Sequence, residues 1–219
     1  ELRDVTIPGG EAGGADPHGG GVPATVSSER SLLDGTSVGE NQAGATGGGV
    51  WSSASVHVGG RSTVADNDAV IGGGGIAAAG AVFVTSSTLD GNQTEGTGGA
   101  IGAADLVDLE NATVVGNEAQ DAAGAVAAGG VLRTLFATVV DNHVLGGGAS
   151  LVSDEEVLLR ASAVGFTSDP AGTSVCSASA DNSVWSRVTD LSCDVSGAGG
   201  NASGLADLGL AAPADNGGG

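Results

Sequence analysis

The sequence predicts an all-β protein, a parallel β-helix solenoid with three short strands in each coil of about 25 residues. Three observations predict it. Asn41, Asn67, Asn92, Asn117 and Asn142 recur at steps of 26, 25, 25 and 25 residues. Gly-rich corners ending in Val50, Ile76, Ile101, Val126 and Leu151 keep the same steps. A third track, Val56/Val58, Val82/Val84, Val107/Leu109, Leu132/Thr134 and Val157/Leu159, follows in register. A fixed period of this length marks a repeat architecture, and a unit this short buries a core only by stacking on its neighbours.

Within each coil the first strand follows a small hydroxyl residue four positions before the Asn: Ser37, Thr63, Thr88, Thr113 or Thr138. The second follows the Gly corner, and the third alternates, so Val56 and Val58 point inward and His57 outward. A 3.6-residue period is missing, which excludes helical repeats. Regular coils are expected over 36–166. Residues 1–35 read as an irregular first coil or cap, in which Ile7 and Val22 lie 31 and 28 residues before Val38 and Val50. Residues 167–219 read as irregular closing coils.

The Asn row is read as a structural ladder, because stacked amides hydrogen-bond to the coils above and below. Glycine pairs such as Gly48-Gly49 suit tight corners rather than phosphate loops, since no helix or Lys follows them. The second strand is almost all small residues. Ala77, Ala79, Gly102, Ala104 and Ala127 form an outward candidate packing face for another element, a second copy or the chain's own loops.

Composition narrows the partners. The chain has 219 residues with 26 acidic and 6 basic, a net charge of −20, and it contains no Met. Such charge repels phosphates, so nucleic acid is excluded as a partner. No run of 18 apolar residues exists to span a membrane. Starting at Glu1, the chain reads as a mature or excised segment whose signal lies elsewhere. Cys176 and Cys193 have no His or further Cys nearby, so a disulfide fits better than zinc and favours an oxidising compartment. Closing that loop, with Trp185 inside it, contributes about 3 kcal/mol in the chain-entropy account.

Candidate chemistry is sparse. The outward third-strand track reads His57, Phe83, Asp108, Arg133 and Leu158, with Asp108 and Arg133 expected to pair across adjacent rungs. Glycoside chemistry needs two carboxylates about 5 to 9.5 Å apart, and this track offers one. No catalytic residue and no metal ligand set is assigned. Glu40, Asp66, Asp68, Asp90 and Asp141 suit turns by their own backbone preferences. Weak Ca²⁺ binding at Asp154-Glu155-Glu156 is kept as an alternative. Sequons occur at Asn92, Asn111 and Asn201.

The unit ST-x-x-x-N, then G-G-x-I, then V-x-V, resembles the right-handed parallel β-helix repeats of the pectin-lyase-like superfamily. The closing stretch, Cys176 and Cys193 followed by Gly204-Leu205-Ala206-Asp207-Leu208-Gly209-Leu210 and Ala214-Asp215-Asn216-Gly217-Gly218, is similar to bacterial "choice-of-anchor" β-helix proteins. That resemblance implies export to the cell surface or outside the cell and transfers no catalytic residue. The expected function is a non-enzymatic structural or adhesive solenoid, a homo-oligomer or filament subunit meeting through its small-residue face or coil ends. A polysaccharide lyase or hydrolase, or a glycan- or Ca²⁺-binding module without catalysis, is the alternative. A glycan or surface partner fits either.

Overall fold

The computed structural model describes residues 1–14, 17–24 and 31–165 and the backbone of two further strands, Cys176–Ala178 and Val184–Ser186. Every regular element among these is a β-strand, and all strand pairings are parallel. The result is a β-solenoid of about five turns. Four sheets of eight, seven, six and seven strands run along it. One coil shows the plan: Val56–Gly59 lies in sheet A, Thr63–Ala65 in sheet B, Asp68–Ala69 in sheet C and Ile76–Ala78 in sheet D.

The three-strand expectation is thereby corrected to four. Sheet C consists of two-residue strands directly after each Asn, such as Gln93–Thr94 and Glu118–Ala119, paired in register. Two residues are too few for an alternation to register in sequence, and only backbone pairing with the next coil makes them strands. Residues 1–14 and 17–24 join the same four sheets. Ile7 pairs with Val38 and Val22 with Val50, so the added residues of this coil sit in its corners and leave the stacking intact.

Alternation at period two decides the interior. Sheet D contributes the fully buried row Val50, Ile76, Ile101, Val126 and Leu151, and sheet A contributes Val56, Val82, Val107, Leu132 and Val157. Sheet B adds Val38, Val64, Leu89, Val114, Val139 and Val164. Each row stacks aliphatic on aliphatic, so successive coils bury one continuous column. Facing sheet C, the column tapers to Ala43, Ala69, Thr94, Ala119 and Val144.

Glycine matters where the corner before sheet D folds against the next coil. A Cβ on Gly74 would collide with the carbonyls of Gln93 and Gly99. Gly73 adopts φ +60°, a conformation L side chains rarely hold. The coil therefore turns there on bare backbone.

One buried hydroxyl interrupts the column. Thr134 takes the place held by Val58, Val84, Leu109 and Leu159 in the stacked coils, is 1 % exposed, and its Oγ1 has no hydrogen-bond partner. Burying an unpaired hydroxyl costs about 1–3 kcal/mol. Thr134→Val is expected to raise the stability of the chain by about 1 kcal/mol in urea unfolding; an unchanged or lower midpoint would show that the hydroxyl is satisfied.

Candidate functional site

Three features gather the polar and aromatic side chains: the buried Asn row, the outward face of sheet A, and a hollow over sheet D. The Asn row sits at the corner between sheets B and C. Asn41 Nδ2 donates to Asn67 Oδ1 at 2.8 Å, Asn67 to Asn92 at 2.8 Å, Asn92 to Asn117 at 2.9 Å and Asn117 to Asn142 at 2.9 Å. The same Oδ1 atoms accept the backbone N–H of the preceding Asn, as Asn92 Oδ1 does from Asn67 at 3.2 Å. Each Nδ2 also reaches a sheet B carbonyl of the coil before it: Asn67 to Val38, Asn92 to Val64, Asn117 to Leu89 and Asn142 to Val114. Gly10 N–H donates to Asn41 Oδ1 at 2.7 Å and so takes the ladder's first place with backbone alone. These amides are fully engaged and buried, with no atom left for a ligand.

A second ladder, which the sequence reading missed, runs along the corner between sheets A and B. Thr36 N–H donates to Ser62 Oγ at 3.0 Å, Ser62 N–H to Ser87 Oγ at 3.2 Å, and Ala137 N–H to Ser162 Oγ at 3.1 Å. Its signal was the hydroxyl residue directly before Ser37, Thr63 and Thr88. Ala112 and Ala137 break that row and hide the period.

On sheet A, His57 and Phe83 stack with ring centroids 4.5 Å apart. Asp108 and Arg133 face each other on the next two strands. The expected ion pair is not formed: no salt bridge joins them among the described residues, and the Asp108 pKa is raised. Burial of its carboxyl is the main cause, Arg133 opposes it, and Glu110 adds to it. Asp90, outward on sheet B, is raised as well, first by burial and then by the nearby Asp66 charge. Glu40, Asp66 and Asp141 occupy corners at positive φ. Among the described residues no three His, Cys, Asp or Glu side chains come together as a metal site requires. Cys193, the side chains of Cys176 and Trp185, Asn201 and the closing Gly204–Gly218 stretch lie outside the described residues.

The small-residue face is where tertiary structure adds most. The outward row of sheet D reads Trp51, Ala77, Gly102, Ala127 and Val152 in register. It is concave rather than flat. The Gly corner of each coil folds back along it, and Thr46, Gly72, Thr97 and Ala122 pair by isolated parallel bridges into a wall. The wall shields Ala77, leaving it 6 % exposed, while Gly102 and Ala127 stay half-buried and Ala79 and Ala104 form the exposed opposite rim. Between wall and rim lies a hollow of about 690 Å³. Trp51 lines one end, stacked on His18 at 4.9 Å, whose Nδ1 is 2.9 Å from Thr46 Oγ1. Val152 and Asp154 line the other.

Two outcomes follow for these groups. Asn92→Ala removes an acceptor for Asn67 and the donors to Val64 and Asn117, and is expected to lower stability by about 3 kcal/mol in chemical unfolding; a loss below 1 kcal/mol would mean water replaces the amide. The raised Asp90 pKa means ionisation opposes folding. The penalty is absent below the ordinary value of 3.8 and complete above the raised one. Asp90→Asn is therefore expected to raise the melting temperature at pH 7 relative to the parent chain, with no gain at pH 3; an equal gain at both would refute the cause.

No family model matches the chain, and neither does any curated protein or solved structure.

Proposed function

We propose that the chain is an exported, non-catalytic β-solenoid that serves as a structural or adhesive element of a cell-surface or extracellular assembly, in which copies associate. The observation that carries this reading is the Asn ladder. The row of polar side chains with the most regular spacing is spent on joining coil to coil, as in a stalk built for length and stiffness. The outward titratable groups of sheet A are spread along it: His57, Asp108 and Arg133 lie on three different strands, with Glu110 beside Asp108 on its own. The likeness of the repeat and closing stretch to pectin-lyase-like and choice-of-anchor proteins supports export.

A second reading, a polysaccharide-processing enzyme, is favoured by the stacked His57–Phe83 pair next to a carboxyl with a raised pKa. A raised carboxyl pKa is a general-acid property. Glu110, outward two residues along the same strand, would be the second carboxyl such chemistry needs; against the reading, the hollow lies over sheet D and none of these groups lines it.

The two readings separate by experiment. Incubation with neutral and acidic polysaccharides is expected to give no new reducing ends or unsaturated products; turnover that disappears in Asp108→Asn would overturn the proposal. Assembly carries its own signature, because like charges must be screened before copies of net charge −20 approach. Light scattering is expected to show association rising as salt goes from about 0.01 M to about 1 M, where the screening length falls from about 30 Å to about 3 Å. A monomer throughout that range would count against an associating assembly.

A further inference from the structure

We infer that the first coil, built by Leu2–Arg3, Thr6–Pro8, Glu11–Ala12 and Val22–Ala24, is a closed end of the solenoid: its outer edge accepts no further coil, and copies do not join end to end through it. The closure is independent of the associating-assembly reading; what it means for copies rests on that reading and narrows it. An open edge strand offers its N–H and C=O groups to any incoming strand. Here two sheets and two corners withdraw that offer.

Alternate residues of a strand in a parallel sheet bond to opposite neighbours. The Val5 carbonyl accepts from Ser37 and the Gly9 N–H donates to Gly39, so Val5, Ile7 and Gly9 bond to the second coil while Thr6 and Pro8 face the outer edge. Val22 N–H donates to Gly49, which leaves Pro23 facing the same way. In later coils these places donate to the coil before. Thr63 N–H reaches Thr36, and two residues on, Ala65 stands in the row of Pro8. Ala79 N–H reaches Ser52, and two residues earlier, Ala77 stands in the row of Pro23. Proline has no N–H to give, and within sheets it is confined to places where no partner strand asks for one. By the same count Arg3, Thr6 and Glu11 hold the outer-edge N–H groups that remain.

Both corner ladders stop at this coil as well. The Asn place is Gly10, where a Cβ would collide with the Gly20 carbonyl, so no amide stands there to receive one from a preceding coil. The hydroxyl place is Val5, next before Thr6 as Thr36 is next before Ser37, and it is 39 % exposed. Thr36 Oγ1 turns instead to the carbonyls of Leu2 and Asp34, each at 3.2 Å. Head-to-tail contacts between identical subunits build an open fibre only when both ends are receptive. One closed end forbids that fibre and leaves the assembly to side-by-side contact or to the opposite end.

The test adds one coil. A duplicate of residues 83–107 placed ahead of Glu1 sets Leu2 in the place of Leu109 and so keeps the repeat in step. By hydrogen–deuterium exchange the duplicate is expected to exchange as an unfolded chain does. With Val5→Ser, Pro8→Val and Pro23→Val in the same extended chain, its strands are expected to slow by about tenfold or more as they pair. Protection of the duplicate behind the native first coil would overturn the closed end, and exposure in both chains would overturn the role given to the two prolines. In the unextended chain at about 1 M salt, the N–H groups of Arg3, Thr6 and Glu11 are expected to exchange as freely in the associated form as in the monomer. Their protection on association would seat a copy on this end and overturn its closure. Absence of association at any salt would overturn the assembly reading alone, since the duplicate still decides whether the end is closed.

Discussion

Everything in this solenoid depends on one constraint: each coil must meet the next at the same backbone spacing on all four sides. Parallel strands fix that spacing at about 4.8 Å, and the corners must hold it where regular pairing stops. The Asn ladder does so between sheets B and C, since each amide donates both to its successor's Oδ1 and to a carbonyl of the preceding coil. The hydroxyl row of Thr36, Ser62 and Ser87 does the same between sheets A and B with a shorter reach. The Gly corners solve the third junction by dispensing with side chains, so the carbonyls of one coil approach the next directly.

These three solutions have different consequences for the surface. Asn and hydroxyl corners turn their polar atoms inward and leave the outside free to vary, which is why outward residues there range from Asp66 to Ala161 with no cost to stacking. The bare-backbone corner instead lies against its own sheet and raises a wall beside it. Beside that wall the row is small only at Ala77, Gly102 and Ala127, and there the space stays empty. The hollow over sheet D is thus set by those side chains, and Trp51 with His18 closes it at one end.

Charge is arranged around that geometry. Carboxylates lie at corners and on outward strand positions, where Asp90 and Asp108 are partly desolvated by the side chains of neighbouring rungs and held above their ordinary pKa. Stacking at the strand spacing brings like charges close, as for Asp66 beside Asp90. A strongly acidic exterior keeps a repetitive β-structure from pairing indiscriminately, while the hollow and the outward row of sheet B carry one carboxylate each among the described residues, Asp154 and Asp90.

The sequence by itself determined the period, the parallel stacking, the inward rows and the Asn ladder, because each depends on residues repeating at fixed separation along the chain. Val56 and Val58 announce an inward face by alternation, and five asparagines at one spacing announce a ladder. Other features depend on the distance between chain segments, which separation in sequence does not encode. The two-residue strands of sheet C exist through pairing alone. Asp108 and Arg133 share adjacent rungs, yet their side chains do not close into an ion pair. Ala77 alternates outward, yet the folded-back corner covers it. Tertiary structure decided those points, since only the packed coil brings a wall of Thr46, Gly72, Thr97 and Ala122 over a floor of Ala77, Gly102 and Ala127.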